Sequence, residues 1–334
     1  MDSETSNPFD LTKATDLSDQ QIGDLWVDIP GKASLVKMVK PASRMPMFIL
    51  GGKGSGKTHL MRYLSFPLQK IRFGKEMSKR IVEEGYLGVY LRCDGLNADR
   101  FWGKGQTHEK WRAVFSYYME LWLGQLTLRI IDALLGEGVV ELESEEAICV
   151  DIAALLDAKL DSRPTKIKEV INYLRDCQRK VDAAVNNSAI TRELSVEILA
   201  APGSLIFGIP KILVKRIPKL KDILFVYLID EIENISEEQQ RYVQTLVREK
   251  ALPCSFKIGA RLYGVRTFKT FSADEENKEG SEYESLRLDD YFRKNKQYSS
   301  FARKLVRRRL SDVGIGQPKE NQSKGKEVPL DEYF

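Results

Sequence analysis

Short apolar runs bounded by glycine, proline and charge recur along the chain, and they alternate with stretches of helical periodicity. MFIL (47–50) predicts a short buried strand. GKTHLMRYLSFPLQKI then reads as a helix that Pro67 bends or ends. LGVYLRC (87–93) predicts a second strand, and 108–135 predicts a long helix with a dense apolar and aromatic face. Residues 140–200 read as several amphipathic helices broken near DSRP. DILFVYLIDE (222–231) is a strongly apolar strand ending in two acids, EEQQRYVQTLVREK a helix, and SFKIGARLYG (255–264) another strand. Strands alternating with helices predict an α/β fold with a parallel sheet covered on both faces.

Composition narrows this picture without changing it. The 334 residues are 43% hydrophobic and 30% charged with a net charge of +4, as in ordinary globular chains, and the weak basicity does not by itself imply nucleic acid. Cys93, Cys149, Cys177 and Cys254 are far apart in sequence, and only His59 and His108 could join them, which argues against a zinc site and for a reducing setting. The acidic, polar start is not a signal peptide, and no apolar run reaches membrane-spanning length. A cytoplasmic protein with no membrane partner is expected. The expected organisation is a polar segment (1–20), one large domain (21–310) and a flexible polar tail (311–334).

Gly51–Thr58, GGKGSGKT, matches G-x-x-x-x-G-K-[ST] between a predicted strand and a predicted helix. Small residues at Gly51, Gly52, Gly54, Ser55 and Gly56 let successive N–H groups, with that of Lys53, turn inward around an anion. Lys57 brings a point charge to the β- and γ-phosphates, Thr58 a hydroxyl for Mg2+, and His59 continues the loop into its helix. The second half of such a site is an acid at the carboxyl end of a buried strand. Asp230 fits the metal and Glu231 fits the activation of water. Arg261, at the end of the next strand, is a candidate to touch the γ-phosphate; Arg266 and Asn234 are weaker candidates.

GGKGSGKT, YLIDEIENIS and IGARLYGVR together resemble the AAA+ and related STAND ATPases, most closely the origin-recognition (ORC) type found as stand-alone bacterial ATPases, over about residues 20–310. The resemblance implies an αβα P-loop NTPase sandwich, ATP with Mg2+, and ring or partner-dependent assembly. It makes Lys57 and Thr58 the Walker A pair and Asp230 and Glu231 the Walker B pair, and Arg261 similar to the STAND sensor arginine. It sets DLWVDIPG (24–31) near the adenine. Lys57 and Asp230 lie farther apart than a typical AAA+ core needs, so a helical insertion at about 135–215 is expected, suited to a homo-oligomer or partner protein. The stretch after Arg261 is too short for a full lid and a winged-helix domain, so a partial C-terminal helical lid is expected.

Other stretches carry less. FARKLVRRRL (301–310) predicts a basic helix whose Arg303, Arg307, Arg308 and Arg309 could meet nucleic-acid phosphates or serve as a second sensor. KILVKRIPKLKD (211–222) reads as a packed strand and turn. Arg92 or Arg100 could act on a neighbouring subunit, with Asp94 behind the site. Trp111, Phe115, Tyr118 and Trp122 at helical spacing read as core. The function expected is an ATPase whose nucleotide state drives a conformational or assembly change, with a partner on DNA or in anti-phage defence. A DNA-binding motor or loader and a nucleotide-gated scaffold with little hydrolysis are the other two readings.

Overall fold

A computed structural model describes residues 7, 9, 13–157, 163–272 and 274–312. Most of the N-terminal polar segment before Lys13, and the polar tail beyond Asp312, lie outside the described residues. The chain begins with α1 (Asp19–Asp24), α2 (Leu35–Val39) and β1 (Met47–Leu50). Then come α3 (Lys57–Leu64), α4 (Phe66–Phe73), α5 (Met77–Glu84) and β2 (Tyr86–Arg92). Four helices come next: α6 (His108–Gly136), α7 (Glu145–Ala153), α8 (Ile167–Thr191) and α9 (Ser204–Arg216). The remainder is β3 (Leu224–Asp230), α10 (Glu237–Glu249), β4 (Cys254–Ala260), β5 (Glu284–Arg287), α11 (Leu288–Lys294) and α12 (Tyr298–Asp312).

The five strands form one parallel sheet in the order β2-β3-β4-β1-β5. Alternate residues of each strand enter two different cores, because successive side chains leave a strand on opposite faces. Phe225, Tyr227 and Ile229 join the large core that includes α6–α10, whereas Leu224, Val226 and Leu228 join the core built on α2 and α3. Helices therefore cover both faces, and the fold is the αβα sandwich of P-loop NTPases. Pro67 acts as expected: α3 stops at Leu64, and α4 starts with the proline in its first turn. Trp111, Phe115 and Tyr118 are core residues, with Trp122 half-buried against them.

Three expectations need correction. Residues 211–222 are not a strand and turn but the end of α9 and a 3-10 turn. The basic residues there face water, while Leu213, Ile217 and Leu220 recur at helical spacing in the core. β4 ends at Ala260, so Arg261 opens a turn closed by the Gly264 N–H donating to its carbonyl (2.9 Å). β5 was not anticipated, since ESLR has a single buried residue; its pairing with β1 makes it a strand. The stretch 135–215 holds the last residues of α6, then α7, α8 and α9, and its apolar residues share the large core with the sheet.

Candidate functional site

The residues that carry charge in the site sit where β1, β3 and β4 stop. β1 delivers the loop Gly51–Gly56 straight into α3, and Gly56 takes φ +88°, a conformation glycine adopts at no steric cost. Lys57 Nζ donates to the carbonyls of Gly51 and Gly52, both at 2.8 Å, which folds the side chain back along the loop. Burial holds its pKa below the usual lysine value, and the nearby carboxylates of Glu233, Asp230 and Asp289 pull it back up.

Asp230 ends β3 and is completely buried. Its carboxylate accepts from Tyr90 (3.2 Å) and from the Glu231 N–H (2.9 Å), and the Thr58 hydroxyl favours its charged form. Burial pushes its pKa up to about 6, and the neighbouring Glu231 charge adds to the rise. Room for it comes from the next strand: a Cβ on Gly259 would stand 2.4 Å from Asp230 Oδ1 and from Met61 Sδ. Glu231 adopts the left-handed region at φ +57°, an uncommon state for a residue with a side chain. Its Oε2 accepts from Arg92 Nε (2.7 Å) and Asn234 Nδ2 (3.2 Å). Tyr90 and Arg92 are two apart on β2, so one face of that strand meets both acids.

Beside the loop lies a cavity of about 850 Å³. Leu25, Trp26 and Val27 line it, within the segment expected near a base, with Lys53, Gly54, Ser55, Gly56 and His59 from the loop side and Phe292, Phe301 and Leu305 opposite. Trp26 stacks on Tyr63 (centroids 3.9 Å apart, 11°) and leans on His59 (5.6 Å, 40°). His59 Nε2 is 3.1 Å from the Ile22 carbonyl, and burial lowers its pKa. The cavity thus joins an aromatic wall to a phosphate-type loop, a shape matched to a nucleotide.

A family model described as ORC-CDC6-like matches residues 7–333. The chain belongs to the ORC-CDC6-like family. At family level this is an AAA+ P-loop ATPase. No curated protein and no solved structure matches it.

The rest of the ORC-CDC6-like chain's charged candidates divide into those near the acids and those committed elsewhere. Arg261 pairs with Glu233 (Nε to Oε1 3.2 Å) while its side chain stays 61% exposed. Arg266 donates to the carbonyls of Ile235 and Glu233, so it braces the turn after β3 and is not free to sense phosphate. Arg100 is tied to Asp182 (2.7 Å) with a side chain 17% exposed, which removes it as a residue offered to a neighbour. Arg92 is likewise engaged inside the chain, by Glu231 and by Asp94 (2.5 Å). In α12, Arg308 donates to the Asp24 carbonyl and Arg309 lies over Phe9 (5.9 Å). Arg303 and Arg307 are exposed on α12, and Arg303 also interacts within the chain. Among the described residues no helix is long and apolar enough to cross a membrane.

Sequence reasoning missed Tyr90, Trp26 by residue, and Asp289. Tyr90 was within reach, because strand alternation from Arg92 selects it. Asp289 comes after an unrecognised strand and carried no signal.

Proposed function

We propose that this protein is a magnesium-dependent ATP switch whose isolated chain hydrolyses slowly. The convergence of Lys57, Thr58 and buried Asp230 beside a cavity with an aromatic wall carries this reading. The donor set suits a hard cation: the Thr58 hydroxyl and a buried carboxylate that already has hydroxyl and N–H partners. Thr58 and Asp230 would hold magnesium, which when bound offsets charge on phosphate oxygens. Lys57 would leave the Gly51 and Gly52 carbonyls for the phosphates. Glu231 would orient water and accept its proton. Trp26 and His59 would flank the base.

Slow turnover is read from two engagements. Glu231 is held by Arg92 and Asn234, and Arg261, the candidate γ-phosphate contact, is held by Glu233. Both must be released before the groups can meet a nucleotide, and a partner or second copy is a suitable trigger. This favours a nucleotide-gated assembly over a free-running motor. The exposed Arg307 keeps nucleic acid among the partners to be tested. A role in anti-phage defence is part of the same proposal and rests on the resemblance alone.

The test is ATP binding and steady-state hydrolysis, with and without DNA, while mass is followed by light scattering. Lys57→Ala should weaken ATP binding on the order of a hundredfold. Glu231→Gln should keep binding and abolish turnover, and Arg92→Ala should raise turnover by roughly threefold as the carboxylate is freed. Absence of ATP binding by the wild type sinks the reading. Fast, DNA-stimulated hydrolysis by the wild type would replace the switch with a motor.

A further inference from the structure

A carboxylate occupies ground that the loop is built to give an anion. Asp289 is in the first turn of α11, reached directly from β5. β5 pairs with β1 as far as Leu50 opposite Arg287, so this turn is set beside the start of the loop. Asp289 Oδ2 accepts the Gly52 N–H at 2.7 Å. A Cβ on Gly51 or Gly52 would stand 3.5 or 3.6 Å from that oxygen, so the carboxylate rests on the loop backbone itself. Its charge also reaches Lys57. The Gly52 N–H and the Lys57 ammonium, both parts of the loop that would attract phosphate, therefore already face a negative charge supplied by the chain.

We propose that Asp289 is an internal competitor for the phosphate loop that lowers nucleotide affinity and links the loop's occupancy to the C-terminal helices. This rests on the nucleotide reading above. A phosphate chain adds negative charge beside Asp289, and like charges this close in a partly desolvated site repel strongly. Relief comes from moving Asp289, and Asp289 moves with α11. α11 is anchored in the core at Leu288 and stacks on α12 through Phe292 and Phe301 (5.3 Å, 23°), and α12 buries no residue fully, so a small shift of α11 is passed to a helix that can yield where the sheet cannot.

Calorimetric titration of the full chain with ATP, ADP and adenosine separates charge from shape. Asp289→Asn and Asp289→Ser both keep a polar group near Gly52 and remove the charge. Both are expected to bind ATP and ADP about tenfold more tightly than wild type, with adenosine unchanged. Asp290→Asn, one residue on and lining a different hollow, should gain much less. Unchanged or weakened ATP binding in both Asp289 variants overturns the proposal, as does an equal gain for adenosine or for Asp290→Asn. If wild type and variants alike bind no nucleotide, the functional reading falls first and this inference with it. Wild-type binding with no change in the variants removes this inference alone.

Discussion

The two walls of the cavity beside the Gly51–Gly56 loop are built on different terms. The sheet wall ends in Asp230, which is fully buried and held by the Tyr90 hydroxyl and the Glu231 N–H. Gly259 on the adjoining strand leaves it no spare space. The opposite wall is α11 and α12. α12 contributes half-buried Phe301 and Leu305 to the cavity and has no buried residue. It is held by an aromatic stack, by Arg308 on the Asp24 carbonyl and by Arg309 over Phe9. One wall fixes geometry through dense packing and satisfied hydrogen bonds; on the other, α11 is anchored at Leu288 but α12 can move at low cost because little buried area ties it down. The proposed switch needs both, since a rigid wall alone cannot report the ligand and a loose one alone cannot position it.

The largest test of the rigid wall is on β4. Lys257 is fully buried, with Nζ donating to the carbonyls of Met45 (2.8 Å) and Ser43 (3.2 Å). Burial brings its pKa down to about 7. The unfolded chain then holds more protons than the folded one between about pH 7 and the ordinary lysine value, so this group makes stability rise with pH across that window. The stability advantage of Lys257→Met over wild type should be larger at pH 7 than at pH 10, by about 3 kcal/mol. Urea midpoints at the two pH values read it, and an equal difference at both would mean the lysine is better solvated than its surroundings imply.

Gly259→Ala comes next. Its new methyl meets Asp230 and Met61 at distances no structure tolerates, so a loss of about 1–3 kcal/mol is expected in the urea midpoint. A neutral outcome would show that Asp230 shifts easily and that this wall is not rigid. The smallest effect is on the other side. Leu305→Ala should change stability by less than about 0.5 kcal/mol, as for a lightly buried position. ATP binding should nonetheless weaken about threefold through lost apolar contact across the cavity. A stability loss as large as that of Gly259→Ala would erase the contrast between the walls.

Much of the rigid wall was legible in the sequence because its signals are local. MFIL followed by GGKGSGKT fixes a strand, a loop and a helix within a dozen residues, and LFVYLIDE marks a buried strand ending in acids. The compliant wall was barely legible. ESLR becomes a strand only by pairing with β1, and Asp289 gains meaning only by landing on Gly52. Residues 211–222 misled because basic residues interleaved with apolar ones hid helical spacing, and Pro210 lies inside α9. Arg266 and Arg100 looked available in sequence but are engaged by groups 31 and 82 positions away in the chain, respectively the Ile235 carbonyl and Asp182.

By itself the sequence determined the parallel α/β class, the glycine-rich loop between β1 and α3, and the pair of acids at the end of β3. These come from periodicity, glycine placement and the rule that polar residues surface at the carboxyl ends of buried strands. Only the tertiary structure decided which charges are free. It put Arg92 on Glu231, Glu233 on Arg261 and Asp289 on the loop, because such pairings depend on which strand ends become neighbours in the sheet, and the order β2-β3-β4-β1-β5 is a property of the packed core rather than of any one segment.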